Sequence, residues 1–234
     1  MQQTIKLQIQ QLKMTPSLHV IVVGDFAPSA IYVQKKIEAC QNVGIVSTVH
    51  AIDKNVTTKE LIDKITMLNQ SPDVHGILVQ LPLPEHINRN EVLQHIDPNK
   101  DVDGLTAYNL GHLMADTPGI KPCTPQGCLQ LIQSVIPDLT GLHAVIVGKS
   151  TLVGNPIGQL LLHQQATVTY THSHTKDLPY FTRQADILVV AAGVPHLIGK
   201  DHVKPGVVII DVGISRDETT GKIIGDVDFD AVSK

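Results

Sequence analysis

The chain has 234 residues, a formal net charge of −4 at pH 7, 42% hydrophobic residues and 17% charged residues. That content is enough to bury a sizeable core in one large or two small domains, and it lies far from the composition of disordered chains. The acidic balance, the absence of Trp and the 3% aromatic content argue against a nucleic-acid platform, which needs a basic face and stacking surfaces.

Short aliphatic runs alternate with helical patterns along the chain. The run 18–24 (LHVIVVG) predicts a strand, followed by a helix over 29–42 that Gly44 terminates. A strand is expected over 45–52. Thr57 with Glu60 reads as a capping box opening a helix to about residue 68. The run 74–81 (VHGILVQL) predicts a third strand, ended by Pro82 and Pro84. A short helix near 90–95 and a polar loop over 97–104 follow. Thr124 and Pro125 read as an N-cap and a first-turn proline opening a helix to about 136. Strands are then expected at 143–147, 167–171, 186–191 and 207–212, with helices at 154–164 and 178–184. The stretch 221–234 shows no helix signal.

Val/Ile runs without alternation suit strands buried on both faces. Their order implies parallel sheets with right-handed crossovers. The fold expected is therefore α/β in two domains, 1–121 and 122–234, with a boundary near 118–122. No apolar run reaches the roughly 18 residues of a membrane span, and the N-terminus lacks the apolar core of a secretory signal. Cys40, Cys123 and Cys128 are odd in number and lack C-x-x-C spacing. That argues against a disulfide framework or a zinc site, so no metal is expected, and it favours a reducing cytoplasm.

His143–Pro156 (HAVIVGKSTLVGNP) is the strongest local signal. A buried strand runs into Gly148 and a helix starts near Gly154, the setting of a dinucleotide turn. Ser150 stands where G-x-G-x-x-G has its second glycine; alone, this is a weak motif whose plain alternative is an ordinary strand-to-helix turn. The next strand ends in His172-Ser173-His174-Thr175 with no carboxylate to grip ribose hydroxyls. A hydroxyl at Ser173 and a cation at Lys149 suit a 2′-phosphate, so NADP is preferred over NAD.

In the first half, Tyr32 and Lys36 are four apart and share a helix face. Tyr32 is placed to stack on a flat ligand and Lys36 to present an amine; a solvated lysine is the plainer reading of that spacing, and it suits Lys35 better. Gln80 ends a strand, where ligands of parallel sheets bind. Asp101 and Asp103 lie in K-D-V-D-G (100–104), where either carboxylate could pair with an amidine-like edge or simply make a turn.

Taken together, SAIYVQKK (29–36), GILVQLPLP (76–84), KDVDG (100–104), PCTPQG (122–127), VGKSTLVGNP (147–156) and IDVGI (210–214) closely resemble the bifunctional methylenetetrahydrofolate dehydrogenase/cyclohydrolase family. The motifs run in the family's order from about Leu18 to Asp228. The resemblance implies a Rossmann-like second domain binding NADP, an active-site cleft between the domains, a folate substrate and a homodimer. It implies hydride transfer from 5,10-methylenetetrahydrofolate to NADP, then hydrolysis of the methenyl product to 10-formyltetrahydrofolate. Lys36 is then the catalytic lysine, with Tyr32 stacked on the folate, Gln80 tuning Lys36 and Asp103 holding the pterin. Val79 and Leu81 flank Gln80 at the substrate. Gly148, Lys149, Ser150 and Ser173 correspond to NADP contacts, Gly193 and Ile214 to the nicotinamide end, and Thr124 to the segment beside the cleft. Many relatives carry Arg at the position of Lys149, and Lys lacks its bidentate fork. The family's opening Asp-Gly-Lys, its Pro-Gly-Gly-Val-Gly-Pro-Met-Thr loop and its returning helix do not occur in these residues. A monofunctional NAD(P)-dependent dehydrogenase and a truncated, non-catalytic nucleotide-binding relative are the competing expectations.

Overall fold

The computed structural model describes residues 2–24, 27–217 and 219–233, and side chains among these except at 27–32. The chain divides into two compact units, Met1–Asn109 and Leu110–Lys234.

The first unit contains α1 (Gln2–Gln10), β1 (Ser17–Val23), α2 (Ala27–Val43), β2 (Val46–Ile52), α3 (Thr58–Gln70), β3 (Gly76–Val79) and α4 (Arg89–Gln94). Its sheet is parallel, in the order β2-β1-β3, with Ile21 opposite Val79. Successive residues of β1 and β3 feed opposite cores, as the unbroken aliphatic runs require. Ile21, Val23, Ile77 and Val79 pack with Leu61, Ile65 and Leu68 of α3. Val20 and Leu78 point the other way and pack with Val33 of α2. The ends of α2 and α3 follow from local chemistry. Gly44 takes φ +94°, and the N–H of Ile45 reaches the Cys40 carbonyl at 2.9 Å, the 6→1 closure of a glycine-terminated helix. Thr57 and Glu60 bond reciprocally, main-chain N–H to side-chain oxygen, at 2.9 and 3.2 Å.

The helix α5 (Ala107–Met114) spans the division between the units. The second unit continues with α6 (Cys123–Val135), β4 (His143–Val147), α7 (Gly154–His163), β5 (Thr167–Thr171), α8 (Leu178–Thr182), β6 (Ile187–Val190) and β7 (Val208–Asp211). A hairpin of β8 (Ser215–Arg216) and β9 (Ile223–Ile224) precedes α9 (Phe229–Val232). The main sheet is parallel in the order β5-β4-β6-β7. Ala144, Ile146, Ile187 and Val189 face α6 and α7, while Val145, Val147, Leu188 and Val190 form a second core with Ile198.

Four features correct the sequence reading. The N-terminal residues form α1, although it buries no residue. The segment after the KDVDG loop is helical as α5. The chain does have a final helix, α9, whose first turn is capped by Asp228 accepting the Ala231 N–H at 3.1 Å. Thr124 is not the N-cap of α6: the helix starts at Cys123 behind Pro122, and Thr124 lies exposed in its first turn. Proline suits the whole first turn because its N–H groups lack intrahelical acceptors, so Pro125 marks the turn without fixing its first residue.

Candidate active site

In the first unit the site grows out of the ends of β3 and α2. Gln80 continues the β3 ladder by one residue, its N–H bonding the Ile21 carbonyl at 2.9 Å. Its Nε2 donates to the Leu81 carbonyl at 2.8 Å, which orients the amide. The opposite end, Oε1, accepts from Nζ of Lys36 at 3.3 Å. Lys36 is half-buried and Lys35 exposed, so the helix presents one amine inward. The backbone of α2 puts Tyr32 one turn before Lys36; its side chain lies outside the described residues. Val79 is 2% exposed and packed in the core, so only its main chain is available to a ligand. Leu81 is half-buried and precedes Pro82 through a cis peptide bond. A cavity of 440 Å³ lies beside this turn, lined by Gly24, Lys54, Pro82, Leu83 and Pro84 among others.

The KDVDG loop distributes its polar groups unequally. Lys100 points its ammonium at the C-terminal end of α3, bonding the carbonyls of Leu68, Asn69 and Ser71 at 3.3, 2.6 and 2.8 Å, where a cation is favoured. Asp101 is buried, and its Oδ2 accepts from the Thr106 N–H at 2.8 Å and from Nδ2 of Asn109 at 3.0 Å. It thereby ties down the start of α5. Asp103 is the acid left over: its carboxylate accepts no hydrogen bond among the described residues. Burial raises its pKa above the usual carboxylate range, Lys36 opposes that rise, and Asp101 adds to it. Lys36, Gln80 and Asp103 therefore form one electrostatically linked group, and Asp101 belongs to the scaffold.

In the second unit the residues singled out from the sequence gather at the carboxyl ends of parallel strands. Val147 of β4 lies opposite Thr171 of β5 and Val190 of β6. Gly148 follows β4 with φ +114°, and a Cβ there would collide with the Ala191 carbonyl. A Cβ on Gly154 would collide with the Gly148 carbonyl. Only glycine allows the strand, the turn and the next helix to close up this tightly, the packing a dinucleotide turn needs. Oγ of Ser150 accepts the Val153 N–H at 3.2 Å and the Gly154 N–H at 3.5 Å, leaving its O–H to donate. Lys149, Ser150 and Ser173 are exposed. The loop after β5 is folded on itself, His172 N–H bonding Oγ1 of Thr175 at 2.9 Å. The next acid, Asp177, caps α8 through the Tyr180 N–H at 3.3 Å, so no carboxylate at the end of β5 is committed to a ribose. Gly193 follows β6 with φ +68°, and Ile214 follows β7 with 63% of its surface exposed.

The sequence reading passed over three groups. Asp226 is fully buried, and its Oδ2 accepts the N–H groups of Ala192 and Gly193 at 2.7 and 2.8 Å. His19 and His50 stand side by side on β1 and β2, Nδ1 to Nε2 at 2.8 Å; burial first, then the charge of Lys64, lowers both pKa values. Neither arrangement has a local signal, because each joins residues far apart in the chain. Among the described residues no cluster of three or more His, Cys, Asp or Glu could hold a metal ion, and no helix is long and apolar enough to cross a membrane.

Comparison with known proteins extends the picture. Residues 1–103 match the family model "Tetrahydrofolate dehydrogenase/cyclohydrolase, catalytic domain" and residues 122–234 match "Tetrahydrofolate dehydrogenase/cyclohydrolase, NAD(P)-binding domain". The chain is 52% identical over 219 residues to the bifunctional protein FolD of Geobacillus thermodenitrificans, spanning 94% of this chain and 77% of that protein. The crystal structure of bifunctional FolD from Campylobacter jejuni superposes with a TM-score of 0.95 at 46% identity, covering 99% of this chain and 83% of that one. The Trypanosoma brucei FolD, solved with NADP cofactor and inhibitor, gives 0.92 at 33% identity, covering 100% and 83%.

Proposed function

The chain belongs to the tetrahydrofolate dehydrogenase/cyclohydrolase family, and from that premise we propose that it oxidises 5,10-methylenetetrahydrofolate with NADP and hydrolyses the methenyl product to 10-formyltetrahydrofolate. Residues 1–121 hold the folate and 122–234 the dinucleotide. The observation that carries the reading is the contact between Lys36 Nζ and Gln80 Oε1 beside the half-buried carboxyl of Asp103.

Lys36 serves as the proton shuttle of the hydrolysis. Water attacks the cationic methenyl carbon and loses a proton to the Lys36 amine. The C–N5 bond then breaks as Lys36 returns a proton to N5, and the hydroxyl proton passes to bulk water as the formyl carbonyl forms, the one net proton that hydrolysis of the cation releases. Gln80 holds the amine by accepting one of its N–H groups, with its own amide locked by the Leu81 carbonyl. Asp103 pairs with the amidine-like edge of the pterin, and Tyr32 stacks on the rings, with Val79 and Leu81 lining the strand end. In the second unit, Gly148 and Gly154 let the main chain approach a pyrophosphate, and the Ser150 O–H and the α7 N-terminus complement its charge. Lys149 and Ser173 receive the 2′-phosphate, Gly193 and Ile214 flank the nicotinamide, and Thr124 contributes from the first turn of α6. NADP, when bound, supplies the hydride acceptor. The same reading makes the protein a cytoplasmic homodimer.

Methenyl absorbance tests the assignment, first its appearance with NADP or NAD and then its decay. Lys36→Met should slow the decay by about 10²–10⁴-fold, the usual worth of general acid–base assistance. Lys35→Met should hardly change it. Decay at the parent rate in Lys36→Met would remove the lysine from the mechanism, and a parent that forms methenyl-folate without hydrolysing it would be a monofunctional dehydrogenase.

A further inference from the structure

Two carboxylates stand in series behind the turns that carry Gly193 and Ile214. Asp211, the last residue of β7, accepts the N–H groups of Gly213 and Asp226 on Oδ1 at 2.9 and 3.0 Å, and that of Val227 on Oδ2 at 3.0 Å. Asp226, held in this way, reaches forward with Oδ2 to the N–H groups of Ala192 and Gly193. Its carbonyl also receives the Ile198 N–H at 3.0 Å. Gly213 is pressed against the same side chain, since a Cβ there would run into the Asp226 carboxyl.

Stability of the core does not account for this acid. Asp226 has no exposed surface, and its Oδ1 is buried with no hydrogen-bond partner among the described residues. An ionisable group so placed carries a desolvation penalty that an apolar side chain would avoid. What the carboxylate does is local. It fixes the turn after β6, whose Ala191 carbonyl packs on Gly148, and it abuts the turn after β7. Both turns lie at the carboxyl edge of a parallel sheet, where such sheets bind their ligands.

We propose that Asp226 is a positioning residue for the nicotinamide end of the dinucleotide. Through the Ala192 and Gly193 amides and its contact with Gly213, it sets the spacing of the two turns that flank that end, and Asp211 holds it in place. The inference rests on the NADP reading above.

The test is direct titration of the whole chain with NADPH, read by nucleotide fluorescence, alongside thermal melting and hydrolysis of methenyl-folate without nucleotide. Asp226→Ala takes the acceptor from two amides and should weaken NADPH binding by about tenfold or more, while nucleotide-free hydrolysis persists. Asp226→Asn keeps an oxygen for both amides and should restore most of the affinity. Parent-like NADPH affinity in a folded Asp226→Ala overturns the proposal. So does a parallel loss of NADPH binding and hydrolysis in both variants, the mark of a merely structural role. Should Asp226→Ala fail to fold, Gly213→Ala displaces the carboxyl from in front, and unchanged NADPH affinity in that variant is equally fatal. A parent that binds no NADPH refutes the cofactor reading itself, a result distinct from normal parent binding with an insensitive Asp226.

Discussion

Asp101 and Asp103 are the same residue type two positions apart, yet they should fail in opposite ways. Asp101→Ala strands two N–H donors, that of Thr106 and one of the pair on Nδ2 of Asn109, whose other N–H keeps the Pro98 carbonyl at 2.9 Å. At about 1–3 kcal/mol for each unsatisfied group, the variant should lose roughly 2–6 kcal/mol. For a chain of this length that is a fall in Tm of roughly 5–20 °C, at about 2–4 °C per kcal/mol. Asp103→Asn removes no hydrogen bond made by the described residues. It replaces a carboxyl whose pKa burial raises, against the opposing charge of Lys36. A raised folded-state pKa means that the folded chain binds more protons than the unfolded one, so this group's contribution declines as pH rises through that pKa. Asp103→Asn should therefore melt at or above the parent temperature near neutral pH, and the gain should vanish in acid. Its damage belongs to the ligand: losing a hydrogen bond to a charged group should raise the folate KM on the order of tenfold to a hundredfold. NADPH affinity should not move. Melting scans at two pH values and folate saturation curves on both variants decide the matter. A stable Asp101→Ala with a raised folate KM, beside a silent Asp103→Asn, would refute the division of labour in the KDVDG loop.

Further outcomes follow from the same geometry. His19 and His50 have lowered pKa values, so the unfolded chain takes up more protons as pH drops below the usual imidazole value of about 6.5. The stability they contribute is present above that pH and lost below it; urea midpoints near pH 7.5 and near pH 5.5 should differ in the parent, and the gap should shrink in His50→Gln. At the nucleotide turn, Ser173→Asp should swing kcat/KM towards NAD by repelling the 2′-phosphate and offering a ribose acceptor. Lys149 is exposed, so Lys149→Ala should cost less than about tenfold in discrimination, and the NADP preference should shrink with added salt. A parent that favours NAD at low salt would contradict the reading of that turn.

What the sequence made legible was set by the range of the interactions involved. The strands of both sheets could be read because their aliphatic runs are buried on two faces, a property visible in any short window. The capping box of α3 and the glycine stop of α2 were equally local. The helix α5 was missed because its start is secured by Asp101 from the preceding loop, and Thr106 lacks a Glu or Gln three residues on. The helix α1 buries nothing, so its pattern carries no face to detect. The choice between Asp101 and Asp103 stayed open on composition alone, since turn chemistry and ligand pairing ask for the same side chain. The structure bears on it by showing which acid already has partners. Asp226 lies 34 and 33 positions from the amides it binds, and no periodicity announces a contact of that span.

The two units solve their binding problems by different means, and the difference governs how each responds to change. In the first, the proposed chemistry falls to half-buried side chains. Lys36 is tied to Gln80 by a hydrogen bond and to Asp103 by charge, so removing one alters the setting of the others. The supporting groups, Lys100 and Asp101, are spent on helix ends to leave that cluster fixed. In the second, the side chains nearest the dinucleotide turn are exposed, where single charges count for little. Shape resides in the main chain, in turns that Gly148 and Gly154 allow and that Asp211 and Asp226 fix. On the proposed roles, exchanging an exposed residue such as Lys149 or Ser173 should adjust which nucleotide is preferred, whereas disturbing a glycine or a buried acid should alter whether any nucleotide is held. On that reading cofactor preference should be the property that single substitutions in this chain shift most readily, and the cluster at Lys36 the one that tolerates them least.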